Sequence, residues 1–236
     1  MSPYKRLFDI VVTTLAIPAW LPAMILTTFI ILLFNGWPAI YVSRRYVRKN
    51  SYGNITKFRT MVRNAEKIAN RDTIHAEPDR QLNLVIDRNL YTKLGIILEK
   101  IHFTELPQLF QIFTGVFTLV GNRPMPDNML RLAREHYPFV EERFSIPCGI
   151  TGPAQLVGRE KLTDVQRLKI EITYAYICQD AYSPLLDLHL LIITVLTPFG
   201  YGRNISIAQM EDLLFNYCDA DKIPLIKQRV ANALAQ

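Results

Sequence analysis

The charge-free stretch from Ile10 to Ser43 constrains this chain more than any other feature. Crossing a hydrocarbon core of about 30 Å takes roughly 20 apolar residues, and this stretch is longer. Lys5 and Arg6 precede it in the manner of a secretory leader. The apolar run is too long for a leader, however, and no small-x-small cleavage site ends it. A membrane segment is therefore expected. Pro18 and Pro22 sit near its middle. Proline lacks a backbone donor and crowds the preceding turn, so the pair is expected to bend or break the helix there. Arms of about a dozen residues rise only about 18 Å, too little for either to cross alone.

Charge supplies an independent constraint. Lys5 and Arg6 flank one side of the stretch; Arg44, Arg45, Arg48 and Lys49 flank the other. Basic flanks tend to stay in the cytoplasm, which places both ends on the same face. A re-entrant helix-break-helix hairpin over residues 1–43 meets both constraints. A single proline-kinked span is the alternative.

The remainder reads as globular sequence with an α+β, mostly helical pattern and enough length for one sizeable core. A compact cytoplasmic domain is expected over 44–200, followed by a helical extension over 201–236. The net charge of +6 points to nucleic acid, an anionic membrane or phosphate-bearing substrates. No nucleic-acid motif or basic stripe with interleaved aromatics is present, so no nucleic-acid partner is expected. Cys148, Cys178 and Cys218 form no CxxC, and the four histidines share no ligand spacing.

Along the globular part, 51–67 reads as a turn, a short strand and the start of a basic helix. Residues 70–92 read as a polar surface loop or mobile helix. Thr104 suits a helix N-cap, with Glu105 near the positive end of the helix, Pro107 in its first turn and Gly115 closing it. A brief strand is expected at 117–120, and helices at 127–137, 163–176 and 185–196. The last is too short to span and suits the core or a membrane surface. The glycine- and proline-rich segment SIPCGITGPAQLVGRE is expected to be loop, and amphipathic helices follow from Ile207.

Seven pieces stand in one order: KRLFD at 5–9, NGWPAIYVSRR at 35–45, KFRTM at 57–61, TELPQLFQIFTG at 104–115, LVGNRP at 119–124, GITGPAQLVGR at 149–159 and SPLLDL at 183–188. This ordered set resembles the bacterial sugar transferase family, the monotopic phosphoglycosyl transferases, over nearly the whole chain to about Leu196. The resemblance implies a re-entrant helix entering the bacterial inner membrane from its cytoplasmic face. It also implies transfer of a sugar 1-phosphate from a nucleoside diphosphate sugar to polyprenol phosphate, with Mg²⁺, early in surface-glycan assembly. Transfer between two anions calls for cations to hold phosphate, and Lys57, Arg59, Arg123 and Arg159 stand inside the matched motifs, with Gln155 beside them.

The family mechanism that the resemblance implies uses an aspartate–glutamate pair, with the aspartate as nucleophile. Here Thr104 matches the aspartate and Glu105 the glutamate. Glu99 matches a phosphate-holding arginine, Asn122 a proline, and Pro147-Cys148-Gly149 an Arg-Pro-Gly. A threonine hydroxyl is a poor nucleophile without an adjacent base and a weaker Mg²⁺ ligand than a carboxylate. Two readings follow. In one, the chain is a transferase with a modified site, Glu105 being nucleophile or metal ligand and Thr104 positioning substrate. In the other, it is a non-catalytic relative that binds lipid or a partner of the glycan machinery, as a homodimer or paired with another protein.

Overall fold

The computed structural model describes residues 2–68, 82, 88–202 and 204–235, and most of the expected 70–92 loop lies outside them. Helix α1 spans Pro3–Leu15, capped by the Ser2 hydroxyl with proline at its first position. Helix α2 spans Ile17–Asn35. The break between them falls at Ala16. Pro18 lies in the first turn of α2, where a missing donor costs little, and Pro22 lies inside that helix. The arms are therefore 13 and 19 residues long rather than equal. The Trp20 indole donates to the Thr13 carbonyl at 3.0 Å, tying one arm to the other across the break.

These two helices are inverted relative to soluble ones. In α1 the buried stripe is Lys5, Asp9 and Thr13, spaced four apart, while Leu7, Val11 and Leu15 face outward. In α2, Ile25, Leu26, Phe29, Leu33 and Phe34 are exposed, the last at 76%. By length and composition α2 alone among the described helices could cross a membrane. Water does not tolerate such a face on a soluble domain.

A hairpin follows. Strand β1 (Ile40–Arg48) pairs antiparallel with β2 (Ser51–Phe58), Tyr41 opposite Lys57 and Arg45 opposite Gly53. Asn50 turns the chain in the left-handed region at φ 59°. The short α3 (Ala65–Ile68) precedes α4 (Lys93–Lys100), which the Thr92 hydroxyl caps. Gly95 allows α4 to lie on the strand exit, since a Cβ there would sit 1.9 Å from the Thr60 carbonyl oxygen. A 3₁₀ turn over Phe103–Gln108 leads into α5 (Leu109–Phe113). Thr104 is thus inside the turn and does not cap it. His102, at φ 59°, reverses the chain earlier, so the helix expected from Thr104 to Gly115 divides into two. Gly115, at φ 77°, does end it.

Strand β3 (Thr118–Val120) leads through a turn to α6 (Asp127–His136) and a 3₁₀ segment, Pro138–Phe144. The segment expected to be loop instead holds β4 (Gly149–Thr151) and α7 (Pro153–Val157). Its glycines serve close approach rather than looseness. Strand β4 runs parallel to β3, and a Cβ on Gly149 would meet the Gly121 nitrogen at 2.1 Å. Helix α8 (Asp164–Asp180) starts with a capping box between Thr163 and Gln166 and is buried along most of its length. Then come α9 (Pro184–Leu196), α10 (Ile207–Phe215) and α11 (Ile223–Leu234).

One apolar core surrounds α8, drawing on Val120, Phe144, Ile146, Leu186 and Leu190, and on Met210, Leu214, Ile226 and Val230 from the last two helices. A smaller cluster of Ile31, Ala39, Phe58 and Leu98 joins the lower part of α2 to the hairpin and α4. Helix α9 buries Leu186, Leu190 and Ile193 and turns Leu185, Leu188, Ile192 and Val195 outward.

Candidate active site

Four chain segments converge on Glu105. The 3₁₀ turn carries Glu105 itself, with Thr104 buried at 6% exposure next to it. From the end of β2, the Lys57 ammonium donates to Glu105 Oε1 at 2.7 Å. From the turn after β3, Arg123 Nη1 donates to the same oxygen at 3.0 Å. From the segment after α7, Arg159 adds its charge to the field around Glu105. Burial acts to raise the Glu105 carboxyl, but Lys57, Arg123 and then Arg159 outweigh it and hold the group at about 2. Burial lowers the Lys57 ammonium, Glu105 opposing and Arg123 adding to the fall. Burial, with Arg123 and Arg167 alongside, brings Arg159 down to about 9.

The cluster therefore carries three cations and one fully ionised carboxylate, a surplus of positive charge waiting for an anion. Glu99, on α4, accepts from the Thr60 hydroxyl at 3.4 Å and lends negative charge toward Lys57. It is exposed and stands at the edge of the cluster.

Other residues picked out from the sequence lie elsewhere. Arg59 is turned away from the cluster to the C-terminus of α2, donating to the carbonyls of Asn35 at 2.5 Å and Gly36 at 2.7 Å. There it satisfies helix-end acceptors and complements the negative end of the dipole, as Arg63 does at Trp37. Gln155 donates to the Ile150 carbonyl at 3.1 Å and makes no bond to Glu105 or the cations. Lys5 is no surface flank: it is buried against Asp187 at 2.6 Å and Asp9 at 3.9 Å. Arg6 donates to the carbonyls of Ile112 and Phe113 at the end of α5.

Sequence reasoning missed a set of buried charges behind the site. Arg143 and Arg167 both pair with Glu171 on α8, and Arg167 with Asp164 clasps the backbone of Leu82. The i,i+4 spacing of Arg167 and Glu171 on a helix was the one local signal of it.

As a seat for Mg²⁺ the free site is poor. Among the described residues no three His, Cys, Asp or Glu side chains converge, and cations surround Glu105. Oε2 of Glu105, though, takes no hydrogen bond from the described residues, both donors falling on Oε1. Mg²⁺ is commonly held by one or two carboxylates together with substrate phosphates and water, and the donor set fits an ion that arrives with a diphosphate.

Comparison with known proteins places the chain in a family. The model of the bacterial sugar transferase family matches residues 1–200, and the chain belongs to that family. It is 32% identical over 201 residues to the UDP-N-acetylgalactosamine-undecaprenyl-phosphate N-acetylgalactosaminephosphotransferase of Aeromonas hydrophila, covering 83% of this chain and 44% of that one. It is 30% identical to the uncharacterized sugar transferase EpsL of Bacillus subtilis, covering 81% of this chain and 85% of that protein. It is 28% identical to the exopolysaccharide production protein ExoY of Sinorhizobium fredii, over 81% and 83% of the two chains. The chain thus spans under half of the Aeromonas protein and most of the other two. Helices α10 and α11 lie beyond the family match.

Proposed function

We propose that this chain transfers a sugar 1-phosphate from a nucleoside diphosphate sugar to polyprenol phosphate at the cytoplasmic face of a bacterial inner membrane. The convergence of Lys57, Arg123 and Arg159 on Glu105 carries this reading, because it offers a diphosphate more positive charge than the protein itself neutralises. The relatives' names, which speak of transfer to undecaprenyl phosphate and of exopolysaccharide production, favour it over a non-catalytic role.

The geometry suggests how the residues divide the work. An incoming diphosphate takes Lys57 and Arg123 from Glu105, so charge lost by one anion is made good by another. An oxygen of the polyprenol phosphate attacks the sugar-bearing phosphorus. The bond from that phosphorus to the nucleotide oxygen breaks, and nucleoside monophosphate leaves. In the free protein Lys57 and Arg123 hold Glu105 ionised, and the Thr104 hydroxyl next to it, a poor nucleophile, positions substrate rather than attacking. Mg²⁺, when bound through Glu105 and phosphate oxygens, supplies neutralisation of the diphosphate.

The outward apolar faces of α1, α2 and α9 support insertion of the α1–α2 hairpin into one leaflet, with the lipid acceptor arriving from the same side as the site. Single cysteines at Ser2 and Ser51 test this topology: both are expected to be shielded from an impermeant thiol reagent in intact cells, and labelling at only one of them indicates a full span. The reaction is tested in lipid nanodiscs with undecaprenyl phosphate, Mg²⁺ and a panel of nucleotide sugars. Nucleoside monophosphate release by the wild type and its loss in Glu105→Ala are expected; silence of the wild type across the panel overturns the reading.

A further inference from the structure

Behind the cation cluster, the buried face of α8 holds a carboxylate for which transfer chemistry makes no direct use. Glu171 is 1% exposed and lies among three buried polar partners. One of its oxygens accepts from Arg143 Nε and the other from Arg167 Nε at 3.2 Å. Arg143, itself fully buried, donates through Nη2 to the backbone carbonyl of Arg123 at 2.9 Å. Asn122, the residue before Arg123, is pinned in turn: its amide donates to the Arg143 carbonyl at 2.7 Å and to the Glu171 carbonyl at 2.9 Å. The backbone that aims Arg123 at Glu105 is therefore gripped by the Arg143 side chain, which Glu171 orients, while Asn122 ties the turn to main-chain carbonyls. Four arginines crowd here, Arg123, Arg143, Arg159 and Arg167, and Glu171 is the carboxylate bonded to two of them.

We infer that Glu171 is the positioning residue of the phosphate site: through Arg143 it fixes the Asn122–Arg123 turn, and by its charge it offsets the two guanidinium groups buried behind that site. The physical reason is that a buried guanidinium is tolerated only when paired and hydrogen-bonded. A planar fork then transmits the position of its carboxylate to whatever its remaining N–H groups hold. Without that charge, Arg143 loses its anchor, and the turn it holds is free to shift by the fraction of an ångström that phosphate recognition does not tolerate. This inference rests on the reading of the cluster as a diphosphate site, and not on turnover.

A double-mutant cycle on full-length protein in nanodiscs, read out as the dissociation constant for inorganic pyrophosphate with Mg²⁺, tests it. Glu171→Gln preserves shape and removes charge. It is expected to weaken pyrophosphate binding about tenfold in the wild-type background and to have almost no further effect in an Arg123→Ala background, because contacting groups do not add independently. Thermal unfolding identifies variants that have lost the fold. If Glu171→Gln is among them, Arg143→Lys carries the same test, since it keeps the charge opposite Glu171 and gives up the bond to the Arg123 carbonyl. Equal losses in both backgrounds would mean a general structural role and overturn the inference, as would unchanged affinity in Glu171→Gln. Failure of the wild type to bind pyrophosphate overturns the diphosphate reading and this inference with it. Binding without turnover leaves the positioning role standing and removes only the transfer reaction.

Discussion

Lys5 and Asp187 stand 182 positions apart in the sequence and 2.6 Å apart in space, with neither side chain exposed. The Tyr174 hydroxyl donates to the other oxygen of Asp187 at 2.6 Å, and Tyr182 adds a bond at 3.1 Å. Asp9, one turn along α1, accepts from the Thr118 hydroxyl at 2.6 Å and the Leu119 amide at 3.1 Å. Buried charge is tolerated when it is paired and hydrogen-bonded, and here helix α1 is bonded to both α9 and β3.

Removing Lys5 strands Asp187. Lys5→Met is expected to cost about 3–5 kcal/mol, the usual penalty for leaving a buried partner uncompensated. Lys5→Met combined with Asp187→Leu should recover part of it, since Asp9, Tyr174 and Tyr182 still lose a partner. Thermal unfolding in nanodiscs measures both; equal destabilisation by the single and double variants would show that the charge pair is not the cause.

The acid side of stability follows from Glu105. Its folded pKa of about 2 lies below the ordinary 4.5, so the unfolded chain takes up the proton first. The stabilisation from its ion pairs is full above about pH 4.5 and is lost as pH falls toward 2. Activity should therefore show no Glu105 ionisation between pH 5 and 8. On the alkaline side Lys57 gives up its proton earlier than an ordinary lysine, so the rate should decline before pH 10.5. A pH profile of nucleoside monophosphate release checks both limbs, and an acid limb near pH 6 that vanishes in Glu105→Gln contradicts an ionised Glu105.

Glu105 holds two cations back from incoming phosphate. In Glu105→Ala, Lys57 and Arg123 lose their shared partner, and pyrophosphate binding in the absence of metal is expected to tighten, on the order of tenfold for one unit charge removed at contact distance. Calorimetric titration measures it. Weaker binding in this variant would mean that the three cations do not face the ligand.

Direct attack by the lipid phosphate leaves no covalent intermediate on the protein. Labelled nucleoside monophosphate is then not exchanged into the nucleotide sugar unless polyprenol phosphate is present. Thr104→Asp supplies a carboxylate next to Glu105 in the turn and is expected to switch on that exchange and to raise turnover by tenfold or more, about 1.4 kcal/mol of barrier. Exchange by the wild type without lipid acceptor would instead make Glu105 a nucleophile.

Divalent ions should bind poorly to the free protein and well with a diphosphate present, since one carboxylate ringed by cations repels a bare ion. Chelation should stop nucleoside monophosphate release, and magnesium titration with and without pyrophosphate separates the two cases. Tight Mg²⁺ binding without any phosphate would contradict this account of the site.

Much of the fold was legible because short-range rules write it. Helices α6 and α9 begin and end within a residue of their expected bounds, and α8 starts at the expected place but runs on from 176 to Asp180. The charge-free run announced itself by composition alone. Two segments were misjudged because one residue type serves opposite ends. Gly149 and Gly152 signal loop by conformational freedom, yet here they let β4 and α7 touch the Gly121 backbone. Thr104 suits a cap by type, but His102 turns the chain two residues sooner.

The sequence by itself determined the ordered motifs, the charge-free apolar run and the threonine at the position where the family resemblance implies a carboxylate, since each is a property of neighbouring residues. Only the tertiary structure decided which charges meet. Lys57 and Arg59 are two residues apart on an extended segment, and one reaches Glu105 while the other closes the end of α2. Lys5, which reads as a membrane flank, became a buried anchor. Such pairings depend on where distant segments cross, because a buried charge takes whichever opposite charge or carbonyl the packing brings within hydrogen-bond reach, and nothing local in the chain encodes that distance.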